Sequence, residues 1–261
     1  MSATEAEERA QFTLAMRASG IDDLELLRAL ERAPRALFMP QRFADISGRD
    51  IALPIGCGQT SPPPSVLATM IAALDLRPSD RVCEIGTGTG YCTALIAQLA
   101  KEVVSLERFH TLALESSARL TAFGLSNVSV RWSDGFEFHA TGERFDKVVV
   151  HGLIEPPAQA FLKLIPGDGV LTSVFAGPGR GECHVIRLDV PASGQVRIAE
   201  CGPARGLRPL EHGLSRGCEA IVWAEKRQSS SSTIHLKPSL NSIGSHSMCS
   251  QSRSPWVEIN E

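Results

Sequence analysis

Residues 84–91 read Glu-Ile-Gly-Thr-Gly-Thr-Gly-Tyr, and this run decides the fold. It follows a short apolar segment, 82–85, and opens a stretch of helical periodicity, 91–99. Glycines at a strand-to-helix junction let the backbone turn tightly and approach a bound ligand closely. The first amides of the helix favour an anionic or electron-rich group. The run therefore predicts a ligand site at the end of a buried strand.

The spacing of the glycines indicates which ligand this is. A dinucleotide fingerprint, G-x-G-x-x-G, requires a third glycine at position 91, where this chain has Tyr91. The observed spacing is G-x-G-x-G, formed by Gly86, Gly88 and Gly90 and preceded by the acidic Glu84. Close backbone approach without a pyrophosphate to cradle suits the amino-acid end of S-adenosylmethionine.

Outward from the loop, strand-like and helix-like segments alternate along the chain. Further strands are predicted at 103–106, 128–132, 147–150 and 170–175, with helices at 112–123 and 158–164 between them. This alternation predicts an α/β fold, a doubly wound Rossmann-like domain with a mostly parallel sheet. The alternating segments 184–189 and 195–199 flank a turn signal, so they predict an antiparallel hairpin at the C-terminal edge.

Two more acidic positions fall where the predicted strands end. Glu107 ends the second strand, at the offset where a carboxylate accepts hydrogen bonds from ribose hydroxyls. Asp134 and Gly135 follow the third strand, and a carboxylate there would face an adenine amino group. Because ligands bind at the carboxyl ends of parallel strands, these positions join the glycine loop in one predicted cofactor site.

The chain divides into three regions by composition. Residues 1–64 combine predicted helices, broken at Gly20 with Asp22 as the cap of the second, with a segment rich in proline and glycine over 34–64. Residues 65–227 carry the alternating pattern and the predicted cofactor site, so we predict that they form an S-adenosylmethionine-dependent methyltransferase domain. Residues 228–261 are rich in serine and poor in large apolar side chains, which predicts a disordered tail.

Bulk properties exclude several classes of protein. The chain has 261 residues, of which 43% are hydrophobic. Its formal net charge is −3, so it lacks the overall positive charge that attracts nucleic acid. No apolar run is long enough to span a bilayer. The seven cysteines are scattered without a C-x-x-C pair, which argues against a zinc site or a disulfide framework and fits a reducing cytoplasm. We expect a cytoplasmic monomer without nucleic-acid or membrane partners.

Several stretches resemble the protein-L-isoaspartate O-methyltransferase family. EIGTGTGY at 84–91 is similar to the family's E-I-G-T-G-S-G-Y, and APRALFMP at 33–40 to its V-P-R-x-x-F-V-P. LPIGCGQT at 53–60 resembles L-P-I-G-x-G-Q-T, which is more specific than a generic methyltransferase loop. FDKVVV at 145–150 and LIPGDGVL at 164–171 are also similar to family segments. The resemblance implies a Rossmann-like fold, S-adenosylmethionine as methyl donor, and proteins or peptides bearing isoaspartyl residues as substrates.

The substrate side departs from this resemblance. The family continues G-Q-T-I-S-x-P, with the serine as an active-site residue, whereas this chain has Pro62 at the aligned position. Thr60 matches directly, and Ser61 stands one residue early, so Thr60 and Ser61 are the candidate catalytic residues. His151 follows the fourth strand in place of the family's alanine-rich stretch. It is either a contact for the substrate, a base for a different acceptor, or a hydrogen-bonded histidine at a strand end.

The implied reaction is methyl transfer to the α-carboxylate of an isoaspartyl residue, a protein-repair step. A carboxylate is ionised at neutral pH and needs no general base, so catalysis rests on alignment in a dry pocket. Two alternatives stay open. The chain is a divergent methyltransferase for another acceptor, or a cofactor-binding but inactive homologue, as Pro62 would favour.

Overall fold

The computed structural model describes residues 3–154, 158–177, 179, 181–192 and 195–216. Two N-terminal helices come first, α1 (Ala3–Ala18) and α2 (Leu24–Arg32). The predicted break falls between them, but the cap is one residue later than expected. Asp23 caps α2, because its side chain accepts hydrogen bonds from the amides of Glu25 and Leu26.

The segment that follows α2 is irregular, as its prolines and glycines predict. It contains short 3₁₀ turns at Arg35–Leu37, Gln41–Ile46 and Gly56–Gly58. Two strands of two residues each, β1 (Leu53–Pro54) and β2 (Thr60–Ser61), pair antiparallel around the last of these turns. The helix α3 (Pro64–Leu74) then begins with a proline in its first turn, where no hydrogen-bonded amide is needed.

The central sheet has seven strands in the order β5-β4-β3-β6-β7-β8-β9. Its strands are β3 (Arg81–Ile85), β4 (Glu102–Glu107), β5 (Val128–Trp132), β6 (Lys147–Leu153), β7 (Gly169–Ala176), β8 (Cys183–Val190) and β9 (Arg197–Pro203). The connecting helices are α4 (Tyr91–Ala97), α5 (His110–Ala122) and α6 (Gln159–Leu162), and a 3₁₀ turn spans Phe138–Thr141.

The sheet confirms the predicted fold class. β5, β4, β3, β6 and β7 pair in parallel, and β8 and β9 add an antiparallel hairpin at one edge. The chain steps outward from β3 to β4 and β5, then returns to place β6 on the other side of β3. Such a switch opens a crevice at the carboxyl ends of β3 and β6, which is where ligands bind in open α/β sheets.

The middle of the sheet is buried on both faces. Val82, Cys83, Val148 and Val149 have no exposed surface, because α3 and the helices that follow β3 and β4 cover the strands. Trp132, which ends β5, lies on an edge strand and is only partly buried. A rigid, buried set of central strands therefore holds the loops at their carboxyl ends.

The residues that the structure describes belong to one compact unit, and residues 221–261 lie outside them. The prediction of a disordered tail over 228–261 lies there too and, like the other domain limits, stays a prediction. In the described part of the chain, none of the helices has the length and apolar character needed to cross a membrane. Cys83, Cys92, Cys183 and Cys201 are free thiols. Cys57 is disulfide-bonded, which corrects the expectation that none of the cysteines pairs.

Candidate active site

A cavity of about 110 Å³, open to solvent, lies at the switch point of the sheet. Its walls come from the loops that follow β3, β4 and β5, from His151 on β6, from the β2 region, and from the segment 207–211. The predicted site residues that line it are Thr60, Ser61, Gly86, Gly88, Glu107, Asp134 and Gly135. Glu84 and Gly90 are not among the lining residues. The structure thus brings seven of the nine predicted residues to one cavity.

The glycine loop has the left-handed backbone that its composition predicts. Gly86, Gly88 and Gly90 have φ values of 94°, 56° and 87°, a region that side chains disfavour. A Cβ at Gly86 would come within 3.2 Å of the Cβ of His151, and one at Gly88 within 3.3 Å of Ile55. Gly90 lies behind the cavity, where a Cβ would meet Leu120 at 3.2 Å. Gly86 and Gly88 therefore keep side chains out of the cavity wall, while Gly90 lets the start of α4 pack closely against Leu120 of α5.

Glu107 joins the loop to the end of β4. Its side chain accepts hydrogen bonds from the amides of Gly88 at 2.8 Å and Phe109 at 3.0 Å. Glu107 is only 4% exposed, and burial raises the pKa of its carboxyl above the ordinary value of 4.5, while these amides act in the opposite direction. The carboxylate oxygens have further lone pairs, so they can still accept from a ligand's hydroxyl groups.

Asp134 also lines the cavity and is held by two amides. One carboxylate oxygen accepts from Phe136 at 3.0 Å and the other from Gly213 at 2.6 Å. Gly135, the next residue, has no room for a side chain, because a Cβ there would lie 2.5 Å from the Cγ2 of Ile85. Asp134 therefore both lines the cavity and binds the segment that covers it.

Glu84 lies beneath the cavity, with no exposed surface. Its Oε2 accepts hydrogen bonds from the hydroxyls of Thr93 at 2.5 Å and Ser105 at 2.6 Å, and its Oε1 lies 3.0 Å from Nε2 of His151. This carboxylate connects β3, β4, α4 and β6 under the loop. The predicted direct contact of Glu84 with a cofactor is untested, and the geometry gives the residue a supporting position.

The candidate catalytic hydroxyls, Thr60 and Ser61 on β2, also line the cavity. The hydroxyl of Thr60 donates to the carbonyl of Gly206 at 3.0 Å. Ser61 is 6% exposed, and its oxygen accepts a hydrogen bond from Nη2 of Arg35 at 3.1 Å. Among the described residues, nothing accepts the hydroxyl proton of Ser61, which is therefore free to donate to a ligand in the cavity.

Arg35 organises the whole β1–β2 segment. Its guanidinium is buried and donates to the carbonyls of Ser47, Ile51, Ser61 and Pro62. Burial lowers its pKa to about 10. The hydrogen bonds that its guanidinium makes among the described residues go to carbonyls and to Ser61, while Asp50 contributes only through its charge.

Sequence reasoning misses one wall of the cavity, which we call the closing segment and define as Leu207–Arg216. Its backbone pairs with Leu153 at the end of β6, through Arg208 and Leu210, and with His110 and Arg108 after β4, through Ser215. These are isolated backbone bridges between residues far apart in the chain. No periodicity or motif signals them, so the segment has no signature in a single sequence.

The fold and the cavity together define a class. A doubly wound sheet with a G-x-G-x-G loop after its first strand and an acidic residue at the end of the second is the arrangement of Rossmann-like methyltransferases that use S-adenosylmethionine. A solved structure supports this fold. It is described as a putative protein-L-isoaspartate O-methyltransferase of Plasmodium falciparum in complex with S-adenosyl-L-homocysteine, and it matches with a TM-score of 0.64 and 18% identity, over 77% of this chain and 97% of that one.

The sequence comparisons identify the family within that class. The family model "Protein-L-isoaspartate(D-aspartate) O-methyltransferase (PCMT)" matches residues 7–186. Protein-L-isoaspartate O-methyltransferase 2 of Rhodopseudomonas palustris (strain HaA2) is 40% identical over 190 residues, covering 73% of this chain and 87% of its own. Protein-L-isoaspartate O-methyltransferase of Caulobacter vibrioides (strain NA1000 / CB15N) is 38% identical over 204 residues, covering 72% and 92%. The chain belongs to the protein-L-isoaspartate O-methyltransferase family, which confirms the resemblance seen in its motifs.

Proposed function

We propose that this chain is an enzyme that transfers a methyl group from S-adenosylmethionine to the α-carboxylate of isoaspartyl residues in damaged proteins. One observation carries the proposal. The glycine loop, Glu107 and Asp134 line one cavity together with the two hydroxyl residues of β2. Family membership supplies the substrate class, and the relatives that match along most of their length are named for this activity.

The cofactor side fits a sulfonium nucleoside. When bound, S-adenosylmethionine supplies an activated methyl group. Glu107 is placed to accept hydrogen bonds from ribose hydroxyls and also holds the amide of Gly88, so the same carboxylate fixes the loop. Asp134 is placed to accept from an adenine amino group. The clear wall at Gly86 and Gly88 leaves room for the amino-acid portion.

The acceptor side would be formed by β2. Ser61 can donate its free hydroxyl proton to a substrate carboxylate, while Arg35 fixes the side chain by donating to its oxygen. The hydroxyl proton of Thr60 is already donated to Gly206, so Thr60 would contribute only after that bond opens. Pro62, at the family's serine position, provides a carbonyl to Arg35 at 2.9 Å. These contacts support Ser61 as the replacement for the missing serine.

No proton has to leave the acceptor in this reaction. An isoaspartyl α-carboxylate is ionised at neutral pH, so the protein's task is to align its oxygen with the methyl group and exclude water. The half-buried cavity, with apolar side chains such as Ile55, Leu67 and Phe136 in its walls, suits that task.

The test is methyl transfer from radiolabelled S-adenosylmethionine to an isoaspartyl peptide, with the same peptide containing normal aspartate as control. We expect label only in the isoaspartyl peptide. Label found only in other acceptors would establish a divergent methyltransferase, and cofactor binding without transfer to any acceptor would establish an inactive homologue. Gly88→Val places a side chain in the ligand's path, so this variant should bind no cofactor. If its affinity is unchanged, the site is misplaced.

We further propose that the protein acts as a cytoplasmic monomer, without nucleic-acid or membrane partners. The formal net charge of −3 supports the absence of a nucleic-acid partner. Size-exclusion chromatography with light scattering would test the oligomeric state, where a mass near 28.1 kDa is expected.

A further inference from the structure

His151 is a buried histidine in the cavity wall that the proposed reaction does not use. It lies on β6 beside the glycine loop, since a Cβ on Gly86 would come within 3.2 Å of its own Cβ. The ring lines the cavity, yet only 8% of the side chain is exposed. Its Nδ1 is fully buried and has no hydrogen-bond partner among the described residues. A buried polar atom without a partner in a ligand cavity points to a ligand group.

The hydrogen-bond network beneath the cavity determines what Nδ1 can do. Glu84 accepts from two hydroxyls at Oε2, and Nε2 of His151 lies 3.0 Å from Oε1. An ionised carboxylate has no proton to donate, so beside it we assign the ring proton to Nε2. With the proton on Nε2, the Nδ1 of a neutral ring carries a lone pair and can only accept. Nδ1 therefore requires a donor from the ligand.

The two ligands of the proposed reaction differ in this respect. The ionised carboxylate of the acceptor has no donor to offer, whereas the α-ammonium of S-adenosylmethionine has three and is positively charged. The glycine loop next to His151 is also where the amino-acid portion is expected. Glu84 behind the ring adds a negative charge that favours a cation at Nδ1.

We propose that Nδ1 of His151, with its ring fixed by Glu84, accepts a hydrogen bond from the α-ammonium group of S-adenosylmethionine. His151 is then a specificity residue for the cofactor. This inference rests on the proposed function for the identity of the ligand. It explains why a histidine with one paired and one unpaired nitrogen lies against Gly86.

The experiment measures binding by isothermal titration calorimetry with two probes, S-adenosylhomocysteine and its deaminated analogue, in which hydrogen replaces the ammonium group. Two variants separate the nitrogens. His151→Gln keeps a donor that can reach Glu84 but has no group at the Nδ1 position, and His151→Asn places an amide oxygen near that position. His184→Gln is the matched control, because His184 pairs with Glu200 on β8 and β9, away from the cavity.

We expect His151→Gln to weaken binding of S-adenosylhomocysteine on the order of tenfold, the scale of one charge-assisted hydrogen bond. Binding of the deaminated analogue should stay unchanged, His151→Asn should restore part of the loss, and His184→Gln should bind both probes as the wild type does. An equal loss for both probes would overturn the proposal, because it would show a structural role. Unchanged affinities with a raised KM for the isoaspartyl peptide would also overturn it and place His151 on the substrate.

Failure of the proposed function gives a different result. If the wild-type protein binds neither probe, the chain is not a methyltransferase of this kind, and the role of His151 falls with it. If the wild type binds both probes equally well, the cofactor site stands and only the ammonium contact is wrong.

Discussion

Glu107 has two functions that respond to pH in opposite ways. Burial raises the pKa of its carboxyl above 4.5, so the folded protein takes up this proton at a higher pH than the unfolded chain does. Its contribution to stability is therefore full below the unfolded pKa and is lost as the pH rises through the raised pKa. The proposed contact with the cofactor needs the ionised form, because only a carboxylate offers both oxygens as acceptors to ribose hydroxyls. Affinity should therefore fall as the pH drops through that same raised pKa.

The first prediction concerns Glu107→Gln. At neutral pH we expect weaker binding of S-adenosylhomocysteine by about 1 to 3 kcal/mol, because a charged acceptor is lost. Calorimetric titrations across the acidic range should show the fall in affinity in the wild type and a flatter profile in the variant. Glu115→Gln, at a half-exposed glutamate on α5, is the control and should follow the wild type. A parallel fall in Glu107→Gln would mean that another group causes the pH dependence.

The second prediction concerns Gly135. A Cβ there would lie 2.5 Å from the Cγ2 of Ile85, and that methyl is fixed in a buried strand. Gly135→Ala should lower the free energy of unfolding by about 1 to 3 kcal/mol, the usual cost of an overpacked core. Gly48→Ala, where a Cβ would meet nothing within 4 Å, is the control. Urea denaturation compares the two, and equal midpoints would show that the sheet accommodates the methyl group.

For single residues, the sequence predicts which ones line the site better than it predicts their hydrogen-bond partners. Glu107 and Asp134 are found because acidic residues stand out where strands end. The sequence does not predict the buried hydrogen-bond network of Glu84, because its partners Thr93, Ser105 and His151 belong to three other elements. Ser61 is suggested only by alignment, and its hydrogen bond from Arg35 spans 26 positions of sequence.

At the scale of elements, the closing segment depends on one side chain. Arg108, directly after β4, donates to the carbonyls of Gly213 and His212 and pairs with Glu211. The pair with Glu211 adds little, because that carboxylate is 69% exposed. The two carbonyl bonds, together with Asp134 and the bridge at Ser215, hold the segment over the cavity.

The third prediction is that Arg108→Ala loosens this segment. We expect faster hydrogen exchange at the amides of Gly213 and Ser215, both hydrogen-bonded across the cavity, and faster dissociation of S-adenosylhomocysteine. Arg205→Ala removes an exposed arginine paired with Asp50 outside the closing segment, and it should leave both rates unchanged. Unaltered exchange in Arg108→Ala would assign the closure to backbone pairing alone.

Periodicity explains why most elements are predictable and why the closing segment is not. Helices and buried strands leave a repeat of apolar residues, so their existence is visible to within a few residues. The antiparallel hairpin of β8 and β9 is found for the same reason, through alternation and a turn signal. The closing segment has neither, since its backbone bonds reach across the molecule and its residues are largely exposed.

At the scale of the whole molecule, the cavity lies over one half of the sheet and not over the antiparallel hairpin. The proposed ligand contacts lie on β6 and in the loops after β3, β4 and β5, whereas no residue of β8 or β9 lines the cavity. Moreover, β9 is an edge strand whose residues are all at least partly exposed. Ligand binding should therefore stabilise the strands that line the cavity directly. It should stabilise β9 only if the whole domain unfolds in one cooperative step.

The fourth prediction separates these cases by native-state hydrogen exchange with and without S-adenosylhomocysteine. At a hundredfold excess over the dissociation constant, the ligand adds about 2.7 kcal/mol to the stability of any form that must unfold to release it. We expect amides of β3, β4 and β6 to gain that protection in full, because their carboxyl ends hold the ligand. Amides of β9 should gain much less, since an exposed edge strand exchanges by local opening that leaves the cavity intact. The Gly88→Val variant, expected not to bind, should show no gain in any strand. Equal gains in β9 and β3 would instead show that the sheet unfolds as one cooperative unit, with the hairpin part of the same core that holds the site.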